Sequence, residues 1–188
     1  MLVRQTKFCP LQCRQCCKGF TSIELLFVLV IAAIMVTLAA PSFRDMLRKQ
    51  RLTSSVNDFF ASVNLTRAEA IGRGRRVDMA PTDGSDWKKG WTVFVDENGN
   101  QIPDSTETII FVHGPLPNDM TVTSNFTAAK PPYLAYNASG GTRSNASAQA
   151  SRSGSWILTM GGESRKIVIN FIGRPRVCNP AVDTGCDS

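Results

Sequence analysis

The stretch Lys18-Gly19-Phe20-Thr21-Ser22-Ile23-Glu24-Leu25 opens a run, residues 20–40, in which Glu24 is the single ionisable side chain among 21 residues. A helix of that length is roughly 30 Å long, enough to cross the hydrocarbon core of a bilayer. Basic residues precede it and most of the chain follows. The positive-inside rule therefore leaves the N-terminal segment in the cytoplasm and exports the C-terminal part. Glu24 is the anomaly. A carboxylate inside an apolar span costs a few kcal/mol on insertion scales, so it is a functional candidate by default. A position near enough to the interface to stay hydrated is the plainer explanation.

On the N-terminal side, residues 1–19 carry Arg4, Lys7, Arg14 and Lys18 and no acid. Without those four bases, 17 of the 21 Lys and Arg remain against 15 acids, and the charge of +6 drops to about +2. The exported part is only mildly basic, so any anion-binding role rests on a local cluster. Cys9, Cys13, Cys16 and Cys17 lie in the same leader, with no histidine near them for a zinc site. A cytosolic leader keeps such thiols reduced. Cys178 and Cys186 are different: they close a short loop in an exported protein, where they oxidise readily. The sequence predicts that disulfide, which in the loop-entropy model stabilises the fold by roughly 2–3 kcal/mol.

The octapeptide around Gly19 resembles the processing site of class III signal sequences, those of type IV prepilins and pseudopilins. Glycine, aromatic residue, glutamate and long apolar run all match in register. The resemblance implies that a prepilin peptidase cuts after Gly19 and N-methylates Phe20. It also implies that Glu24 pairs with the terminal amine of a neighbouring subunit during filament assembly. The protein would then sit in the inner membrane as a single span, its C-terminal domain in the periplasm, before entering a filament. Two rivals stay open. An ordinary signal peptide would use Thr37-Leu38-Ala39 as a poor cleavage site. A plain single-span anchor would need neither Glu24 nor the Gly-Phe junction.

Pro41 ends the apolar run and predicts a kink rather than a stop. Beyond it Leu52, Val56, Phe59, Phe60, Val63 and Ile71 recur at helical spacing, the mark of an amphipathic helix that Gly72 and Gly74 terminate. Arg44, Arg48, Lys49 and Arg51 read as a solvated collar near anionic headgroups rather than a nucleic-acid stripe. From Arg75 onward the pattern changes to short strands, expected at 76–79, 90–95, 107–112, 120–124, 133–136, 155–160 and 166–171. Residues 137–155, rich in Gly, Ser, Ala and Asn, read as a long loop carrying Arg143 and Arg152.

Gly90-Trp-Thr-Val-Phe-Val-Asp-Glu-Asn-Gly-Asn100, with Asp104 and Glu107 after it, resembles the hairpin signature of the GspH/FimT minor pilins and pseudopilins. Asp96, Asn98, Asn100 and Asp104 also invite a calcium reading. Gln101 occupies the position where the EF-hand requires glycine, and Asx-turn chemistry accounts for these residues without an ion. No metal or cofactor is expected. His113 is the sole histidine and the serines lack a nucleophile-elbow context, so no catalytic constellation emerges.

The tail holds the remaining chemistry. Arg165-Lys166 opens a strand, and Gly173-Arg174-Pro175-Arg176 follows it. Alternation turns both arginines to one side, and Pro175 stiffens the segment between them. Two guanidiniums so placed suit adjacent phosphates, each donating a charge-assisted fork. The segment also matches the G-R-x-R element of FimT-type pilins, which bind DNA in natural transformation. By that resemblance Arg174 and Arg176 are the main contacts with double-stranded DNA. Arg165, Lys166, Arg143 and Arg152 are weaker, electrostatic candidates. Ordinary surface charge, or a docking patch for another subunit, is the bland alternative.

The expected fold is α+β: a long N-terminal helix, half transmembrane and half amphipathic, packed on an antiparallel sheet domain. The expected divisions are leader 1–19, membrane helix 20–41, amphipathic helix 42–74 and β-rich domain 75–188. The function read from these features is a minor pilin that binds DNA. One alternative is an H-type pseudopilin of type II secretion that does not bind DNA. The other is a membrane-anchored domain outside any filament.

Overall fold

A computed structural model describes residues 19–125, 132–144 and 151–186. The cysteines and bases of the expected leader therefore lie outside the described residues, as do residues 145–150 of the expected loop. The chain divides into two units, residues 1–42 and 43–188.

The first unit is helical from Ser22, the start of α1 (Ser22–Arg73). Its N-terminus is set by Thr21, whose Oγ1 accepts the Glu24 amide at 3.3 Å while its carbonyl accepts the Leu25 amide at 3.1 Å. Thr21-x-x-Glu24 is thus half of a capping box, with an acid in the first turn where the helix dipole favours one. From Phe20 to Leu38 the large apolar side chains are all exposed. Such a surface is suited to lipid or to neighbouring helices, not to water. Pro41 lies inside the helix without interrupting it.

In the second unit α1 buries Leu52, Val56, Phe59, Val63 and Ala70. Ile71, expected on this face, is exposed. Eight residues from Val63 rotate it by about 80°, whereas seven bring Ala70 back to within about 20° of the stripe. The helix closes in a Schellman arrangement, the amides of Gly74 and Arg75 bonding to the carbonyls of Ile71 and Ala70.

Among the described residues nine strands follow: β1 (Val77–Pro81), β2 (Trp91–Val95), β3 (Thr108–His113), β4 (Met120–Ser124), β5 (Leu134–Tyr136), β6 (Thr142–Arg143), β7 (Gly154–Met160), β8 (Glu163–Ile169) and β9 (Pro175–Cys178). They form two antiparallel sheets, ordered β3-β2-β1-β5-β6 and β4-β7-β8-β9. All seven expected strands are present within a few residues. Two are additional: β6 inside the expected loop, and β9 on the arginine segment itself. Both are too short, at two and four residues, for hydrophobic alternation to give a sign of them.

Residues of α1 and of both sheets share one core. At its centre the Phe59 ring lies 4.8–5.5 Å from the rings of Trp87, Trp91 and Trp156. His113 stacks flat on Trp91, ring centroids 3.9 Å apart, a packing role. On the other face of the first sheet Ala80, Phe94, Tyr133 and Ala135 form a smaller buried cluster.

Candidate functional site

β9 decides where the tail arginines go. It pairs antiparallel with β8, setting Arg176 opposite Val168 and Cys178 opposite Lys166. Cross-strand partners share a face. Lys166, Val168, Arg176 and Cys178 therefore stand on one side of the second sheet, while Ile167 and Ile169 point into the core. Arg174 lies just ahead of β9; its amide donates to Asn170 Oδ1 at 2.9 Å and its carbonyl accepts the Asn170 amide at 3.2 Å. Both arginines are exposed. The Arg176 guanidinium also donates to the Gly185 carbonyl, within the loop that the Cys178–Cys186 disulfide closes.

The turn before the arginines is braced by two side chains, Tyr136 and Arg67. The Tyr136 hydroxyl donates to the Gly173 carbonyl at 2.9 Å, and burial holds that phenol well above its ordinary pKa. Arg67 of α1 donates through Nε to the Gly140 carbonyl at 2.8 Å and through Nη2 to the Ile172 carbonyl at 3.4 Å. Neither Arg67 nor Tyr136 was a sequence candidate. Arg67 sits in a helical pattern that explains it as surface charge, and nothing local reveals partners 73 and 105 residues away.

Beside this turn lies an open cleft of about 440 Å3, lined among others by Ser155, Lys166, Val168, Asn170, Phe171 and Cys186. Phe171 is 71% exposed and Ile172 66%. Lys166 lines the cleft and shares its sheet face with Arg176, and Asn170, which also lines the cleft, bonds to Arg174 at the β8–β9 turn.

The other sequence candidates are placed differently. Arg165 alternates with Lys166 and stands on the opposite face of β8, where it meets Glu163 at 3.7 Å and its own neighbour's carbonyl at 2.8 Å. Arg143 belongs to the first sheet, paired with Ala135, and its Nε is buried without a hydrogen-bond partner among the described residues. Arg152 is tied through its main chain to the Thr142 hydroxyl and precedes Ser153, which lines the cleft. Of these candidates Lys166 shares a sheet face with Arg176. In the collar, Lys49 pairs with Glu163 at 3.1 Å and Arg48 with Asp45 at 3.4 Å.

The Asx-rich hairpin uses its oxygens on its own backbone. Asp96 accepts the amides of Gly99 and Gln101, Asn98 that of Asn100, Asn100 that of Ile102, and Asp104 that of Thr106. Asp96 also meets Arg76 at 3.1 Å, and Arg76 makes a two-point contact with Asp78. The Asp78 carboxyl has no exposed surface, and burial pushes its pKa up to about 7, with Arg76 opposing the shift. This charged cluster sits against Tyr133, whose ring lies 5.7 Å from the Arg76 guanidinium.

No curated protein matches the sequence. Among solved structures, the type IV minor pilin FimU of Pseudomonas aeruginosa matches in two crystal forms. One match covers 73% of this chain and 96% of that chain, with 18% identity and a TM-score of 0.56; the other covers 71% and 98%, with 18% identity and 0.53. The minor pseudopilin EpsH of the Vibrio cholerae type 2 secretion system matches at 14% identity and a TM-score of 0.47, over 69% of this chain and 98% of that one. The FimU matches show the shared fold. The family model for the type II transport protein GspH matches residues 55–173, more than half of the chain, ending at the glycine just before Arg174. The chain therefore belongs to the GspH family of pilin-like proteins, the minor pilins and pseudopilins of type IV pilus and type II secretion assemblies.

Proposed function

We propose that this protein is a minor pilin of a type IV filament, near its tip, and that it captures extracellular DNA through Arg174 and Arg176. The observation that carries the reading is the pair of exposed guanidiniums on and beside β9, with Lys166 on the same sheet face. Phosphate contacts of this kind give affinity without sequence preference and are strongly salt-dependent. A gel-shift titration of the full-length protein in detergent micelles at several salt concentrations tests it. Changing Arg174→Ala together with Arg176→Ala is expected to weaken binding to every duplex sequence alike. The slope of log affinity against log salt should fall by about 0.9 for each phosphate that the variant no longer neutralises. Unchanged affinity in the double variant would remove the tail as the DNA site. The family's type II transport description favours the second reading, an H-type pseudopilin, for which wild-type protein would bind no DNA.

Assembly follows from the N-terminus in this reading. Prepilin peptidase cuts between Gly19 and Phe20 and methylates the new amine. The inner membrane holds the apolar half of α1 until the subunit enters the filament. Glu24, already in the first helical turn, then meets the terminal amine of an adjacent subunit. Mass spectrometry of the protein from membrane and filament fractions is expected to find N-methylated Phe20 as the first residue. An intact leader in both fractions would instead support a plain membrane anchor.

A further inference from the structure

The arginine pair accounts for phosphates but leaves the neighbouring cleft without a role. Three of its features are those of a site for a planar, partly polar group. Its volume of about 440 Å3 is within the range of small-molecule pockets, and far too small for a double helix. Its lining combines an apolar patch at Val168 with polar side chains of Asn125, Ser153, Ser155 and Asn170. At its rim stands Phe171, an aromatic ring 71% exposed to solvent, at a position where burial in the core would be the rule for this residue type.

Resting on the DNA-binding reading above, we propose that this cleft takes an unpaired base of single-stranded DNA, stacked on Phe171, while Lys166, Arg174 and Arg176 hold the flanking phosphates. Every base has a π-face, so an exposed aromatic ring beside a row of cations binds single strands with little regard to sequence. A paired base cannot enter: its faces are covered by its neighbours in the stack. The cleft thus selects strand ends, frayed duplex and single strands over intact duplex. The polar rim supplies donors and acceptors for the base edge, which phosphate contacts alone leave unused. Asn125 Oδ1 already accepts the Ser155 amide at 2.7 Å, which fixes the Asn125 side chain at the cleft edge.

The test compares two probes, a short oligothymidylate and a relaxed, covalently closed circular duplex, each titrated against full-length protein in detergent micelles. Phe171→Ala is expected to weaken oligothymidylate binding by about 5- to 100-fold, the worth of one stacked base, and to change closed-duplex binding less than twofold. Because Phe171 is exposed, circular dichroism should show an unaltered fold. In Phe171→Trp, oligothymidylate affinity should be retained and the emission of the introduced indole quenched by the oligonucleotide but not by closed duplex. Trp87, Trp91 and Trp156 are buried and give a constant background. Equal loss on both probes, or none on either, overturns the base-stacking role and assigns Phe171 to packing against another subunit. Loss of oligothymidylate binding in Phe171→Ala, with full retention in the Arg174 and Arg176 double variant, would keep the cleft and overturn the arginine reading. Absence of any DNA binding by wild-type protein overturns both.

Discussion

Replacing Arg76 with methionine is expected to destabilise the second unit by roughly 3–5 kcal/mol, because it strands two carboxylates that have no exposed surface. Arg76 forks onto Asp78 and reaches Asp96 at 3.1 Å. Asp96 in turn organises the hairpin by accepting the amides of Gly99 and Gln101. The loss should appear as a fall in melting temperature of roughly 10–20 °C for a unit of this size. Its pH dependence follows from Asp78, whose folded pKa of about 7 is raised by burial above the usual carboxylate range. Between about pH 4 and 7 the folded state binds more protons than the unfolded chain. Wild-type stability should therefore decline as pH rises through that window and level off above it. Without Arg76 the ionised form of Asp78 loses its partner, so the window extends upward and the variant's deficit is larger at pH 8 than at pH 5. A double change, Arg76→Met with Asp78→Asn, removes that stranded charge and should recover part of the loss. A melting temperature unchanged at pH 8 would show that the cluster contributes nothing.

That cluster also marks where the sequence stops being readable. The helix and seven strands are legible because their apolar residues repeat with the periods of the elements they form. The family resemblance is legible because the Gly90–Asn100 stretch and the Gly19–Phe20 junction are spaced by chemistry within a few residues. The Asx-turn role of Asp96 is legible, but its ion cluster with Arg76 and Asp78 is not. Asp78 sits mid-strand as if facing solvent, and only the pairing of β1 with β2, Asp78 opposite Phe94, brings it into a covered layer. The tail is half legible. Alternation gives the common side for Arg174 and Arg176, and the same rule separates Arg165 from Lys166, although adjacent bases read as one patch along the chain. Phe171 reads as the end of a core strand, yet the turn starting there leaves it exposed. The disulfide is legible from the short loop and the expected export; its service to Arg176 through Gly185 emerges only in three dimensions.

The second large effect falls on the glycine of the arginine motif. Gly173→Ala is expected to lower both stability and DNA affinity, although the residue itself carries no charge. Its φ of 80° lies in the left-handed region, where a side chain costs roughly 1–2 kcal/mol. Space is also lacking: a Cβ there would lie 2.5 Å from the Gly140 carbonyl oxygen and 2.9 Å from the Tyr136 ring. The first neighbour is backbone held by Arg67, and the second ring is fully buried. The turn must therefore move, breaking the Tyr136 hydrogen bond to Gly173 and shifting the start of β9. A fall in melting temperature of roughly 5–10 °C is expected. DNA affinity should fall in the same direction as in the Arg174 and Arg176 double variant but by less, because both guanidiniums remain and only their spacing is lost. Gly162→Ala supplies the control. Its φ of 84° imposes the same conformational cost, but nothing lies within 4 Å of its Cβ. It should lower the melting temperature by a few degrees and leave DNA affinity unchanged. If the two alanine variants behave alike in both measurements, the brace formed by Arg67, Gly140 and Tyr136 does not position the arginines.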